Sequence, residues 1–137
     1  MPDFTALIIG CGVMGTASAR ICLEDSNFNK IVVADRNAER AVQLANSLGK
    51  SVTALELDWL QEDQVIRSMS GISVVLNTAG PFSRDTISFM RTVIETGIPY
   101  ADINDDIETL QMVFESEYLD CLASCLLYTS PSPRGQR

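Results

Sequence analysis

With 137 residues, 46% of them hydrophobic and 20% charged, the chain has the size and balance of one ordinary globular domain with a real core and no room for a second lobe. Ten Lys plus Arg against eighteen Asp plus Glu give a formal charge of -8, which argues against nucleic acid and anionic membrane as partners and reads as solubility. Cys11, Cys22, Cys121 and Cys125 form no CxxC, the chain has no histidine, and its first apolar run is short with no basic region ahead of it, so the expectation is a cytoplasmic protein with reduced thiols, no zinc site, no Ser/His/Asp triad, no export signal and no membrane span.

The first apolar run, Ala6 to Ile9, ends in Gly10, Cys11, Gly12, Val13, Met14 and Gly15, which is GxGxxG. A helix-compatible segment follows to about Glu24, with Ala17 and Ile21 expected inward and Ser18 small enough for close packing. After a return loop, Ile31 to Ala34 form a second strand closing on Asp35. It is apolar on consecutive residues, as when helices cover both faces of a parallel sheet. Asn37 can cap a helix that places Ala38, Ala41, Val42, Ala45 and Leu48 on one face and stops at Gly49. A third strand is expected at Ser51 to Leu57, then Asp58, then a short helix from Trp59 to Ser70 with Leu60, Val65 and Met69 inward.

The fourth strand, Ile72 to Leu76, is the most apolar after the first and is placed beside it in mid-sheet. It delivers Asn77, Thr78, Ala79, Gly80 and Pro81 at its carboxyl end, where open α/β sheets bind ligands. A helix from about Arg84 to Thr96 carries Ile87, Met90, Val93 and Ile94 inward and ends at Gly97. The fifth strand is Ile98 to Ile103, and Asp105, supported by Glu108, can cap a last helix with Ile107, Leu110, Phe114 and Tyr118 inward. These alternations predict an α/β fold, a doubly wound parallel (Rossmann) sheet of about five strands in the order 3-2-1-4-5 with right-handed crossovers.

The chemistry sits at the glycine turn. Gly10 permits the tight turn, Gly12 has no side chain to hold a pyrophosphate off the backbone, and Gly15 lets the helix lie close to the strands. The amides around Val13 and Met14 and the positive end of the helix then face the phosphates without a basic side chain. Asp35, twenty residues after Gly15, is placed to accept hydrogen bonds from the adenosine ribose hydroxyls. A carboxylate there favours NAD over NADP, while Arg36 can stack on the adenine or turn to a 2′-phosphate. Asn37 belongs to the same turn. Asp58, ending the third strand, reads either as an acceptor for the adenine amino group or, with Gln61, as a helix cap. Asn77 to Pro81 can offer backbone groups and the Asn77 amide to the ribose beside the nicotinamide, or make an ordinary strand-to-helix turn. Asp102, Asn104, Asp105 and Asp106 read mainly as a helix cap and solvated acids.

LIIGCGVMG, VVADRN and above all LNTAGPFSRDTISFMRTVIETGIPYADINDD resemble the N-terminal cofactor domain of the saccharopine dehydrogenase and saccharopine reductase family, over roughly residues 5–118. The pattern of Asn77, Thr78, Ala79, Gly80, Pro81 and Phe82, then Gly97, Tyr100 and Asp102, is more specific than the glycine fingerprint. The resemblance implies an NAD(P)-dependent oxidoreductase acting at a carbon–nitrogen bond of an amino acid or imine. It also implies a substrate-binding and dimerising domain after the cofactor domain, and hence a homodimer of the intact protein.

From about Cys121 the sequence loses its period and ends in a Ser, Pro, Arg and Gly mixture that cannot build a core. LLYTSPSPR resembles a translated sequencing-adapter tail. The expected organisation is therefore a dinucleotide-binding domain over 1–120, a disordered or artefactual tail over 121–137, and an absent substrate domain, which leaves this chain inactive alone. A competing reading is a Rossmann module that binds a nucleotide to sense it, without catalysis, since no catalytic acid or base is evident.

Overall fold

The computed structural model describes residues 3–80, 83–103, 107, 108 and 111, and through them strand and helix alternate. The elements are β1 (Thr5–Ile9), α1 (Val13–Glu24), β2 (Lys30–Asp35), α2 (Ala38–Leu48), β3 (Val52–Glu56), α3 (Glu62–Ser68), β4 (Val74–Asn77), α4 (Arg84–Glu95) and β5 (Tyr100–Asp102). All pairings are parallel and the strand order is β3-β2-β1-β4-β5, the doubly wound arrangement of a Rossmann-like α/β fold.

The consecutive apolar residues of β1 serve two cores at once. Leu7 and Ile9 enter the cluster roofed by Val65 and Met69 from the α3 side and by Ile87, Phe89, Met90 and Val93 of α4. Ala6 and Ile8 face the opposite way, against Ala19 and Cys22 of α1 and Leu44 and Ala45 of α2. A strand buried on both faces cannot show the polar alternation of a half-exposed one, which is why its run is unbroken.

Helix phase is where the sequence expectation fails. In α1 the buried positions are Gly15, Ala19 and Cys22, whereas Ala17 is exposed and Ile21 is 69% exposed. The contact of Gly15 with the Gly10 carbonyl, just past β1, sets the rotation of the helix, and residues four and seven further on must follow it inward. In α2, Leu44 replaces the expected Val42, which is exposed along with Leu60 of the β3–α3 connection. Val65 and Met69 are buried as expected, but α3 starts at Glu62 and not at Trp59. Phe89 joins the expected inward set of α4. Ile107 is helical but 71% exposed, so it is not the core residue expected of the last helix. Asn104, Asp105, Asp106, Leu110, Phe114, Tyr118 and the 121–137 tail lie outside the described residues.

Candidate cofactor-binding site

Strand register brings the loops together. Ile9 lies opposite both Ala34 of β2 and Asn77 of β4, so three strands end at one level. The Gly10 amide donates to the Ala34 carbonyl at 2.8 Å, and the Thr78 amide and hydroxyl both donate to the Ile9 carbonyl at 2.8 Å. Gly10 has φ 97°, and a Cβ on it would stand 3.0 Å from the Ala79 amide nitrogen and the Thr78 hydroxyl, so conformation and space both demand glycine. A Cβ on Gly15 would collide with the Gly10 carbonyl.

Gly12 is the open position. A Cβ there would find only the Arg40 guanidinium, Nη2 at 3.5 Å. Gly12 is also the N-cap of α1 and supplies no side-chain cap. The amides of Val13, Met14 and Gly15 have no acceptor among the described residues, and the side chains of Val13 and Met14 point to solvent, 85% and 50% exposed. Uncapped amides at the positive end of a twelve-residue helix, reached over a bare Cα, form a cradle for a diphosphate.

Asp35 ends β2 beside this cradle, only 9% exposed. Its Oδ2 accepts from the Cys11 amide at 3.0 Å and its Oδ1 from the Asn37 amide at 2.8 Å. Each oxygen keeps a further lone pair for a ribose hydroxyl. Asn37 acts locally: its Oδ1 accepts from the Glu39 and Arg40 amides and caps α2. Cys11 is half-buried, and its thiol donates to the Ala34 carbonyl at 3.6 Å. Burial, then the Asp35 charge, push that thiol up to about 11, with Arg40 opposing.

At the outer edge the Arg36 guanidinium lies 4.8 Å from the centre of the Trp59 ring and 3.5 Å from Asp58 Oδ1. Asp58 Oδ1 also accepts from the Leu60 amide at 3.1 Å, while the N-cap of α3 is Gln61. Asp58 is therefore a turn former and ion-pair partner, and the expected helix cap is corrected. Trp59 was not legible as a site residue, because only the fold lays it under Arg36.

On the other side of β1, Asn77 is 2% exposed. Its Oδ1 accepts from the Ala79 amide at 3.0 Å, its Nδ2 donates to the Tyr100 hydroxyl at 3.1 Å, and that hydroxyl donates to Asp102 Oδ2 at 2.8 Å. The amide expected to reach a nicotinamide ribose is thus engaged inside, holding the Thr78–Ala79 backbone against Gly10. Ala79 is buried and Gly80 exposed, while Pro81 lies outside the described residues.

An open amide cradle flanked by a carboxylate at the next strand end separates dinucleotide-binding domains from other doubly wound folds. In keeping with that class, residues 6–125 match the model of the saccharopine dehydrogenase NADP binding domain, and the chain belongs to that family. It is 38% identical over 74 residues to a glutamyl-tRNA reductase from Methanothermobacter marburgensis, a match covering 54% of this chain and 17% of that protein. Its fold is similar to that of apo saccharopine dehydrogenase (L-Glu forming) from Saccharomyces cerevisiae, with a TM-score of 0.66 and 16% identity over 81% of this chain and 24% of that one. It is also similar to GenD2 from gentamicin A biosynthesis in complex with NAD, with a TM-score of 0.64 and 15% identity over 93% of this chain and 33% of that one. The chain thus spans about a quarter of the saccharopine dehydrogenase it matches. Among the described residues no helix is long and apolar enough to cross a membrane.

Proposed function

We propose that this domain seats NAD(P)(H) along the carboxyl edge of its sheet for an oxidoreductase acting at a carbon–nitrogen bond of an amino acid or imine. The observation that carries the reading is the set of unaccepted amides at Val13, Met14 and Gly15, opened by Gly12 and flanked by Asp35. The pyrophosphate lies on those amides, the adenosine ribose at Asp35, and the adenine towards Arg36, Asn37 and Asp58. The segment Asn77 to Gly80 borders the nicotinamide half. When bound, a nicotinamide dinucleotide supplies or takes up the hydride. Substrate clamp, proton donor and homodimer contacts belong to a part of the protein beyond the dinucleotide domain of residues 1–120.

The choice of substrate class rests on the family, which is named for an amino-acid dehydrogenase. The unpaired thiols of Cys11 and Cys22 suit a cytoplasmic protein. Asp35 supports NAD(H), since each of its oxygens accepts one main-chain amide and keeps a lone pair for a ribose hydroxyl, while Arg36 can turn to a 2′-phosphate. Calorimetric titration with NADH and with NADPH tests the proposal. Saturable heat with either supports it, and no saturation with both at millimolar concentration overturns it.

A further inference from the structure

We propose that Arg40 grips the diphosphate bridge common to NAD(H) and NADP(H), closing the amide cradle from the α2 side with a full positive charge. The inference rests on the dinucleotide reading above and adds one side chain to the same site, whichever of the two cofactors is bound.

The glycine fingerprint by itself offers the diphosphate only main-chain amides, and the fold brings a cation to them. Arg40 lies in the first turn of α2, three residues past the cap Asn37. Its Nη2 stands 3.5 Å from where a Cβ on Gly12 would be, and apart from the chain neighbours no other group comes within 4 Å of that point. The guanidinium therefore borders the bare Cα over which the open amides of Val13, Met14 and Gly15 are reached. Its charge is felt in the loop itself, where it opposes the effect of Asp35 on the Cys11 thiol.

The charge balance of the cradle shows what this cation does. The start of α1 carries roughly half a positive charge. Asp35, whose Oδ2 accepts from the Cys11 amide one residue before Gly12, sets a full negative charge close by. The half charge does not offset the full one, so a diphosphate gains little from the pair, and the Arg40 guanidinium reverses the balance. Arg36 is already paired with Asp58 and lies over Trp59, whereas no carboxylate stands within ion-pair distance of Arg40 among the described residues. A planar guanidinium without a carboxylate partner is able to give two parallel N–H groups to phosphate oxygens.

The test is calorimetry on the full chain with NADH, NADPH and ADP-ribose, using the parent sequence, R40Q and R40K. ADP-ribose keeps the diphosphate and carries neither nicotinamide nor 2′-phosphate. Arg40 is exposed on α2, so both variants should melt with the parent when unliganded, and the loss is then one of binding. R40Q should weaken all three ligands by a similar factor of at least about tenfold, the scale of a hydrogen bond to a charged group. R40K, a point charge without the planar fork, should recover part of the loss. Weakening confined to NADPH would place Arg40 at the 2′-phosphate, and weakening of NADH and NADPH but not of ADP-ribose would place it at the nicotinamide end. Either result overturns the proposal, as does unchanged affinity in R40Q. Failure of the parent chain to bind any of the three would bring down the dinucleotide reading itself, and this inference with it.

Discussion

Gly15 of α1 packs so closely on the Gly10 carbonyl at the end of β1 that no side-chain atom fits between them. Gly12, two residues past Gly10, has open space on its Cα and an ordinary φ of -84°. The fingerprint glycines therefore do different work, and alanine separates them. G15A forces the helix off the strand and should cost at least about 1–3 kcal/mol, as overpacking of a tight contact does. G12A should change stability by less than about 1 kcal/mol, the scale of a cap substitution, while its methyl group enters the cradle and weakens cofactor binding. Thermal melts paired with NADPH titrations check this, and a G12A protein as unstable as G15A would contradict it.

Asp35 is first a structural acceptor. Removing its carboxylate strands the Cys11 and Asn37 amides at a site that is 9% exposed. D35A should cost about 1–3 kcal/mol for the lost acceptors. D35N keeps one oxygen but turns an NH2 towards an amide donor, so it should not restore full stability. Urea unfolding of both variants measures this, and an isosteric D35N as stable as the parent would show that neither amide depends on the second oxygen.

The sheet was legible because its signal is collective: unbroken apolar runs at β1, β2 and β4, separated by helix-length segments, leave few topologies. The same logic placed Gly10, Gly12, Gly15 and Asp35, whose spacing is dictated by backbone geometry. Helix rotation was not legible. Ala17 and Ile21 match a helical period as well as Ala19 and Cys22 do, and the choice falls to Gly15, whose missing side chain carries no hydropathy. Arg40 was missed for a related reason. An arginine on an amphipathic helix reads as a solvated charge until the cap at Asn37 aims the first turn at the glycine loop. Asn77 was placed at the correct edge, but nothing in the sequence shows that Tyr100 lies within reach of its amide.

Tyr100 ties β5 to the loop beneath the glycine turn. Its hydroxyl accepts from Asn77 Nδ2 and donates to Asp102 Oδ2, and Asn77 in turn holds the Ala79 amide. Y100F keeps the fully buried ring and its edge contact with Phe89 but deletes the relay. The buried Asn77 donor then loses its acceptor, at a cost of about 1–3 kcal/mol. Chemical denaturation checks the size, and a Y100F protein within experimental error of the parent would mean that Asn77 finds another partner.

Cys11 provides a pH signature of the glycine loop. Burial, and after it the Asp35 charge, push its thiol up to about 11 from an ordinary 9.0. The folded chain therefore holds this proton after the unfolded chain has released it. Between those two values the native state binds more protons, so stability falls as pH rises from about 9 to about 11, and the contribution is fully present below 9. Tyrosines and lysines titrate in the same range, so the comparison is with C11A, whose stability should fall less steeply between pH 8 and 11. Iodoacetamide should likewise label Cys11 more slowly in the folded chain than in urea at about pH 9, since only the thiolate reacts. Arg40 opposes the shift, so R40Q should push the thiol higher still and slow labelling further. Faster labelling in R40Q would place the guanidinium away from the loop.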